Sequence, residues 1–502
     1  MGFRSVLSKP FAAYVARETR RWSFSPVESQ ERVLTEIVQR ARYTAFGKDH
    51  NFDQVKDYND FKSNVPICDY EELKPWIDRL VKGESDVLWP GLPEYFSKTS
   101  GTTSGVKYIP VTKDSIPNHI NSARNALLGY VHETGKSAFL DGKLIFLSGS
   151  PTLSETAGIK TGRLSGIVNH HVPGYLRTNQ MPSYETNCIE DWETKLEKII
   201  DETIDKNMSL ISGIPPWVQM YFDRIQDRVD KPIKDVFPNF NLFVYGGVNF
   251  EPYRAKLYDS IGSKIDSIET YPASEGFIAY QDSQTDDGLL MLLNSGIFFE
   301  FIPADEYFNE NPTRLMIGEV ELGVNYALII NSNAGLWGYS IGDTVKFISK
   351  DPYRLLVTGR IKHFISAFGE HVIGEEVEKA MKLACQKYPE TELVEFTVAP
   401  NVTPKEGLPL HEWYVEFAKE PGDLTAFENE LDLTLRKLNT YYDDLISGSI
   451  LRTLKVIPLR KNSFINYMKS QGKLGGQNKV PRLSNDRQIA GTLESYSEFE
   501  ND

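Results

Sequence analysis

Apolar and polar positions alternate differently in three parts of this chain. Residues 1 to about 90 read as mostly helical, most clearly over 27–41 and 70–81. From about 140 to 345, short apolar runs alternate with helical stretches. The runs LIFLSG (144–149), LISGI (210–214), NLFVYGG (241–247) and SIETYPAS (267–274) each end in glycine or small polar residues. Residues 192–206, 216–228 and 253–262 read as the helices between them. Such alternation predicts a parallel α/β sheet whose functional loops lie at the strand C-termini. Later runs at 291–293, 296–303 and 326–331 predict antiparallel strands in a small barrel or meander. A boundary is expected near 358–362. Beyond it, helices at 375–387 and 424–438 and strands at 395–399, 412–417 and 454–458 predict a compact α+β domain. The expected fold class is α/β, with a large N-terminal domain (1–359) and a small mobile α+β C-terminal domain (360–502).

One segment breaks the apolar rhythm. Lys98 to Lys107 reads KTSGTTSGVK, between strand-like runs at 93–97 and 107–111. A helix is expected from about 114 to 131, with Thr112 as its N-cap and Leu127 and Leu128 on its apolar face. Gly101 and Gly105 let the backbone approach a ligand and turn N–H groups inward. Ser100, Thr102 and Thr103 supply hydroxyl donors, and Lys107 supplies positive charge. These groups suit a polyphosphate. A hydroxyl-rich surface hairpin is the plainer alternative. A Walker loop is excluded, because it runs from a strand directly into a helix and here a second strand follows.

Composition narrows the field. The 502 residues allow more than one domain and a large core. The formal charge of −14 argues against a nucleic-acid binder, which carries a basic patch. No apolar run approaches the roughly 18 residues of a membrane span, so no membrane insertion is expected. Residues 1–22 are mildly amphipathic but lack a signal peptide's apolar core. Cys68, Cys188 and Cys385 stand far apart, forming neither a metal motif nor a disulfide framework, which points to a reducing cytoplasm.

Four further segments carry chemistry. Val244-Tyr245-Gly246-Gly247 ends a strand-like run, giving either a plain turn or a flat backbone platform beside a purine. Tyr271-Pro272-Ala273-Ser274-Glu275 follows another. Tyr271 offers a ring for stacking, Ser274 a hydroxyl for phosphate, and Glu275 a hard oxygen ligand for Mg²⁺. Asp343 follows Gly342 at an expected strand start, where a carboxylate can accept from a ribose diol. Lys479 stands on a glycine-rich stretch, LGGQNKVPR, either a flexible basic tail or a loop that swings a cation into a site.

In this order, the segments resemble the core motifs of the adenylate-forming superfamily. TSGTTSGVK resembles its phosphate loop, YPASE its Y-G-x-T-E, and YSIGD its Y-x-T-G-D. GRIKHFISAFGE resembles its hinge motif. FSKTSGTTSGVKYIPVT, GIPPW (213–217), the YPASE form, LNTYYDD (438–444) and NKVPR are closer to one branch. That branch is the auxin-responsive acyl acid amido synthetases, the Gretchen Hagen family. The chain departs by holding Lys362 where many superfamily members have Asp. It is also shorter than typical plant members, which suggests a bacterial relative.

The resemblance implies an adenylate-forming fold, with ATP and acyl acid bound by 1–359 and a lid at 360–502. It implies a ligase that uses ATP and Mg²⁺ to make an acyl-adenylate, then passes the acyl group to an amine, an amino acid in the first instance. In this reading Ser100, Gly101, Thr102, Thr103, Gly105 and Lys107 hold phosphates. Gly246, Gly247 and Tyr271 flank adenine, Asp343 grips the ribose, and Ser274 and Arg360 join the nucleotide contacts. Glu275 holds Mg²⁺, Lys479 is catalytic, and Lys362 is the hinge about which the lid rotates. The acyl pocket is expected among the helix after Thr112, the 148–150 loop and residues 213–217. The alternatives are an acyl- or aryl-CoA ligase and a non-catalytic nucleotide-binding protein.

Overall fold

The computed structural model describes residues 2–496 apart from 100–105, 173, 248–249, 362–363, 366, 371, 472–479 and 485–486. The chain divides into two compact units. The larger is Met1–Thr99, Lys107–Glu190 and Thr194–Ile361, and the smaller is built on Lys362–Asp502.

The larger unit opens with helices Phe3–Ser23, Pro26–Ala41, Ala45–Asp49, Tyr58–Asn64 and Tyr70–Val81. The last shows why these sequences are helical. Asp69 caps it, accepting from the N–H groups of Glu71 and Glu72, while Glu72 reaches back to the Asp69 N–H. Its buried positions, Tyr70, Leu73, Ile77 and Leu80, recur three and four apart.

Among the described residues, fifteen strands follow in this unit: β1 (Tyr95–Thr99), β2 (Lys107–Val111), β3 (Lys143–Phe146), β4 (Ser154–Thr156), β5 (Ile159–Gly162), β6 (Gln180–Met181), β7 (Met208–Ser212), β8 (Leu242–Gly246), β9 (Asp266–Ala273), β10 (Gly276–Tyr280), β11 (Leu289–Met291), β12 (Ile297–Pro303), β13 (Asn325–Ser332), β14 (Tyr339–Lys350) and β15 (Tyr353–Arg360). Eleven of them make one sheet in the order β12-β13-β14-β15-β11-β10-β9-β8-β7-β3-β6. From β6 to β9 neighbours are parallel, with helices Trp192–Thr203, Pro215–Val229 and Glu251–Ile261 in the crossovers. From β9 to β12 they are antiparallel. The expected parallel and antiparallel regions are thus two halves of one sheet, and the antiparallel half is two meanders, β9-β10-β11 and β12-β13-β14-β15, joined where β11 pairs with β15. A second sheet, β2-β1-β5-β4, carries the hairpin β1–β2.

Two local expectations change. The helix after β2 runs Ile116–Thr134, later than expected, and Ser115 at its N-cap position makes no side-chain cap bond. Thr112 instead closes a turn, accepting from the Ser115 N–H at 3.1 Å and donating to the Asn333 carbonyl at 2.7 Å. The Thr112 carbonyl also accepts from the Ile116 N–H at 3.1 Å, so the threonine caps the turn that leads into the helix. Asp343 lies inside the twelve-residue β14, after Gly342 at φ +81°, rather than at a strand start.

The smaller unit has a three-stranded sheet. Glu392–Asn401 is antiparallel to Leu410–Lys419, which is parallel to Lys455–Leu459. Helices Gly374–Lys387 and Leu424–Leu438 pack together, and Trp413, Tyr414, Phe427, Leu431 and Leu435 are fully buried. Among the described residues, no helix is long and apolar enough to cross a membrane.

Candidate active site

The parallel half sets the floor. From β3 the chain adds β6 on one side and then β7 on the other, so the strand order reverses beside β3. Such a reversal leaves a crevice at the strand C-termini. Gly213, just after β7, lets the two strand ends close up. A Cβ there would lie 3.0 Å from the Leu147 Cβ. Lys195, 2% exposed, donates to the Ser148 and Asn187 carbonyls at 2.8 Å each, tying down the loop after β3. Burial draws its ammonium down to about 8.

Gly246 and Gly247 end β8 for different reasons. A Cβ on Gly246 would sit 2.3 Å from the Thr270 carbonyl oxygen of β9, so the strands meet there only through glycine. Gly247 has φ +83° with open space around its missing Cβ. It turns an uncovered backbone outward at the strand end.

The join between the two halves holds the densest cluster of candidate residues. Ser274 and Glu275 form the two-residue tip of the β9–β10 hairpin, flanked by the Ala273–Gly276 pair. Ser97 of β1, fully buried, donates to the Ser274 Oγ at 3.1 Å. Asn118 grips the start of β10, accepting from the Phe277 N–H at 2.7 Å and donating to the Phe277 carbonyl at 3.1 Å. Tyr271, 9% exposed, donates its hydroxyl to Asp343 Oδ2 at 2.5 Å. That bond reveals the shape of the sheet. β9 and β14 are four strands apart in pairing order, a flat separation of about 19 Å. The antiparallel half must therefore curl until its carboxylate meets the tyrosine.

Lys107 pairs with Thr99 at the mouth of the β1–β2 hairpin. Its Nζ lies 5.2 Å from the Tyr70 ring centroid, a cation–π contact. The Tyr70 hydroxyl accepts from the Tyr108 N–H at 2.9 Å, and burial pushes this phenol up to about 12. Ser100, Gly101, Thr102, Thr103 and Gly105 lie outside the described residues, as do Lys362 and Lys479. Arg360 ends β15, opposite Asp343 in the ladder.

In the smaller unit the segment after Lys479 is anchored. The Val398 N–H donates to the Arg482 carbonyl at 2.9 Å, and the Ser484 N–H to the Val398 carbonyl at 3.0 Å. Thr397 donates to the Pro481 carbonyl at 2.7 Å. Arg482 pairs with Glu378 at 2.9 Å and also with Glu395.

Sequence reading missed Ser97, Asn118 and Lys195. Each is a polar residue at a position the fold buries. For Ser97 the signal was present, a hydroxyl inside the apolar strand YFSKT. For Asn118 and Lys195 it appears only once the buried face of each helix is known.

Among the described residues, no group of three or more His, Cys, Asp or Glu is placed to hold a metal. Mg²⁺ carried on a nucleotide needs only one or two carboxylates beside phosphate oxygens and water. The half-buried Glu275 at the hairpin tip fits that requirement.

Comparison with known proteins adds a lineage. The GH3 family N-terminal, central and C-terminal domains match residues 17–186, 290–360 and 375–488. The chain is 36% identical over 451 residues to the indole-3-acetic acid-amido synthetase GH3.2 of Arabidopsis thaliana, covering 74% of this chain and 81% of that one. It is 24% identical over 522 residues to the jasmonoyl-L-amino acid synthetase GH3.5 of Oryza sativa subsp. japonica, covering 86% and 87%. Among solved structures, the fold is similar to the acyl acid amido synthetase AtGH3.15 in complex with 2,4-DB. That match has a TM-score of 0.61 and 16% identity, covering 97% and 96% of the two chains. It is also similar to a 2-hydroxyisobutyryl-CoA ligase, with a TM-score of 0.58 and 14% identity, covering 93% and 92%.

Proposed function

The chain belongs to the GH3 family, and we propose that it is a ligase that activates a carboxylic acid with ATP and joins it to an amine, an amino acid in the first instance. The observation that carries this reading is the join between the sheet halves. There Tyr271 holds Asp343, and Ser97 holds Ser274 beside Glu275.

The chemistry explains the parts. A carboxylate is a poor electrophile because its leaving group would be oxide. Its oxygen attacks the α-phosphorus of ATP, pyrophosphate departs, and a mixed anhydride with a good leaving group results. The amine nitrogen then attacks the acyl carbon, AMP leaves, and a proton is released. The first step brings two anions together, so the site must offer preorganised positive charge and donors.

We assign Ser100, Gly101, Thr102, Thr103, Gly105, Lys107 and Ser274 to the phosphates. Tyr271 and the Gly246–Gly247 backbone go to the base, and Asp343 to the ribose hydroxyls, with Arg360 joining the nucleotide contacts. Asp343 is suited to this because Tyr271 fixes its orientation before substrate arrives. Mg²⁺, when bound, neutralises phosphate charge, and Glu275 is the residue proposed to hold it. Lys479 is proposed to bridge the acyl carboxylate and the α-phosphate. The Pro481–Ser484 backbone that follows it is anchored on Thr397 and Val398. Lys362 is proposed as the hinge.

Acid-dependent exchange of pyrophosphate into ATP, run over a panel of carboxylic acids, tests adenylation. Exchange is expected with at least one acid, and Lys479→Ala should lower it about a hundredfold or more. Full exchange in that variant would remove the lysine from the mechanism, and no exchange with any acid would overturn the activity. Product mass with amino acids against coenzyme A separates amide from thioester.

A further inference from the structure

The first helix, Phe3–Ser23, shows the solvent an unusual face. Phe3 is 78% exposed, Val6 and Leu7 55% each, Phe11 41% and Tyr14 52%. Positions 3, 7, 11 and 14 recur at helical spacing, so they form one stripe over roughly 17 Å. The opposite side is fixed to the body of the larger unit. Ser5, Ala12 and Val15 are buried there, and the Ser5 hydroxyl meets that of Ser137 at 2.9 Å. The Gly2 N–H donates to Asp141 at 2.6 Å. This apolar stripe is therefore held outward.

Charge accompanies the stripe. Helix Phe3–Ser23 contains five cations and one acid, Glu18, in a chain whose formal charge is −14. Arg17, Arg20 and Arg21 are exposed in its last turns, and the Arg17 guanidinium lies 5.7 Å from the Tyr14 ring centroid. The Phe11 and Tyr14 rings stack with centroids 6.4 Å apart. Aromatic and aliphatic side chains on one strip, with arginines beside them, match a partner offering hydrocarbon and anions together. A second copy of the helix offers hydrocarbon but sets cations against cations. Five side chains of one helix also fall short of the ~800 Å² per partner of a stable dimer.

We propose that this face docks on the surface of a bilayer containing anionic phospholipid, the helix lying in the interface plane and not crossing it. The adenylation reading is independent of this surface, since none of its residues belongs to the candidate site.

Co-sedimentation of the full chain with vesicles tests the proposal. Binding to phosphatidylcholine vesicles with roughly 30% phosphatidylserine should exceed binding to phosphatidylcholine alone by about tenfold or more. Raising salt to about 0.5 M should weaken it, because the charge contribution is screened. The triple variant F3S/L7S/F11S should lose about tenfold or more of the binding while keeping wild-type pyrophosphate exchange. Absence of binding to either vesicle at low salt would overturn the proposal, as would undiminished binding by the variant. Light scattering that shows a dimer abolished by the same three substitutions would give the face to a second copy instead, and overturn it too.

Discussion

The parallel and antiparallel halves of the large sheet contribute to the candidate site in different ways. The parallel half contributes backbone. Its strands end at Gly213 and at Gly246–Gly247, where missing side chains let main chain come close or stand uncovered. The antiparallel half contributes side chains, and it does so by curling until Asp343 of β14 meets Tyr271 of β9. One half is thus sensitive to added atoms, and the other to removed functional groups. The sharpest way to break the comparison is at the end of β8. Gly246→Val places atoms where Thr270 O already lies 2.3 Å from a Cβ, so it should cost about 3 kcal/mol or more in urea unfolding. Gly247→Ala meets no neighbour and carries only its positive φ, so about 1 kcal/mol is expected. Equal costs for the two would show that closeness to β9 is not what selects glycine.

On the antiparallel side the predicted losses are functional. Asp343→Ala should lower kcat/KM for ATP about a hundredfold with little change in stability, and Tyr271→Phe about tenfold. The double variant should be no worse than Asp343→Ala alone, because the tyrosine hydroxyl is assigned to act through the carboxylate, while phenylalanine keeps the ring proposed to face the base. Additive losses in that cycle would separate the two residues.

Helix Ile116–Thr134 packs on both β9 and β10, across the join. Its His119 is 5% exposed, its Nδ1 has no hydrogen-bond partner among the described residues, and burial draws the imidazole down to about 4. The unfolded chain takes up a proton near pH 6.5 and the folded chain does not, so folding is disfavoured as acid is added. The stability contributed by the neutral ring is complete above pH 6.5 and is lost as pH falls to about 4. Relative to His119→Leu, the native chain should lose on the order of 2 kcal/mol between pH 7 and 4.5, read from urea midpoints. A pH-independent difference would mean the ring is protonated in place.

How much of this was legible follows the same division. The parallel strands and their crossover helices stand out in the sequence because buried strands are continuous apolar runs punctuated by glycine. The motif residues at 246, 271, 275 and 343 are visible as motifs. Their meeting is not, because curl depends on twist accumulated over β9 to β14, and no local pattern encodes contact between residues 72 positions apart. Thr112 is half legible for a related reason. A threonine before a helix reads as a cap, and its hydroxyl does accept from the Ser115 N–H, but it also donates to Asn333, a partner 221 residues away.

The smallest expected effect tests the link between the second sheet and the hairpin tip. Ser97→Ala removes one neutral hydrogen bond to Ser274, worth about 1 kcal/mol at most once water exchange is counted. Its value is in where the loss appears. Ser97 lies two residues before the end of β1, so it ties the β1–β2 hairpin to the Ser274–Glu275 tip. If that tie fixes the spacing between the two, KM for ATP should rise a few-fold more than unfolding free energy alone explains, and Ser97→Thr should restore it. A loss of stability with unchanged KM would make Ser97 a packing residue of the hairpin, leaving the antiparallel half's contribution to Tyr271 and Asp343.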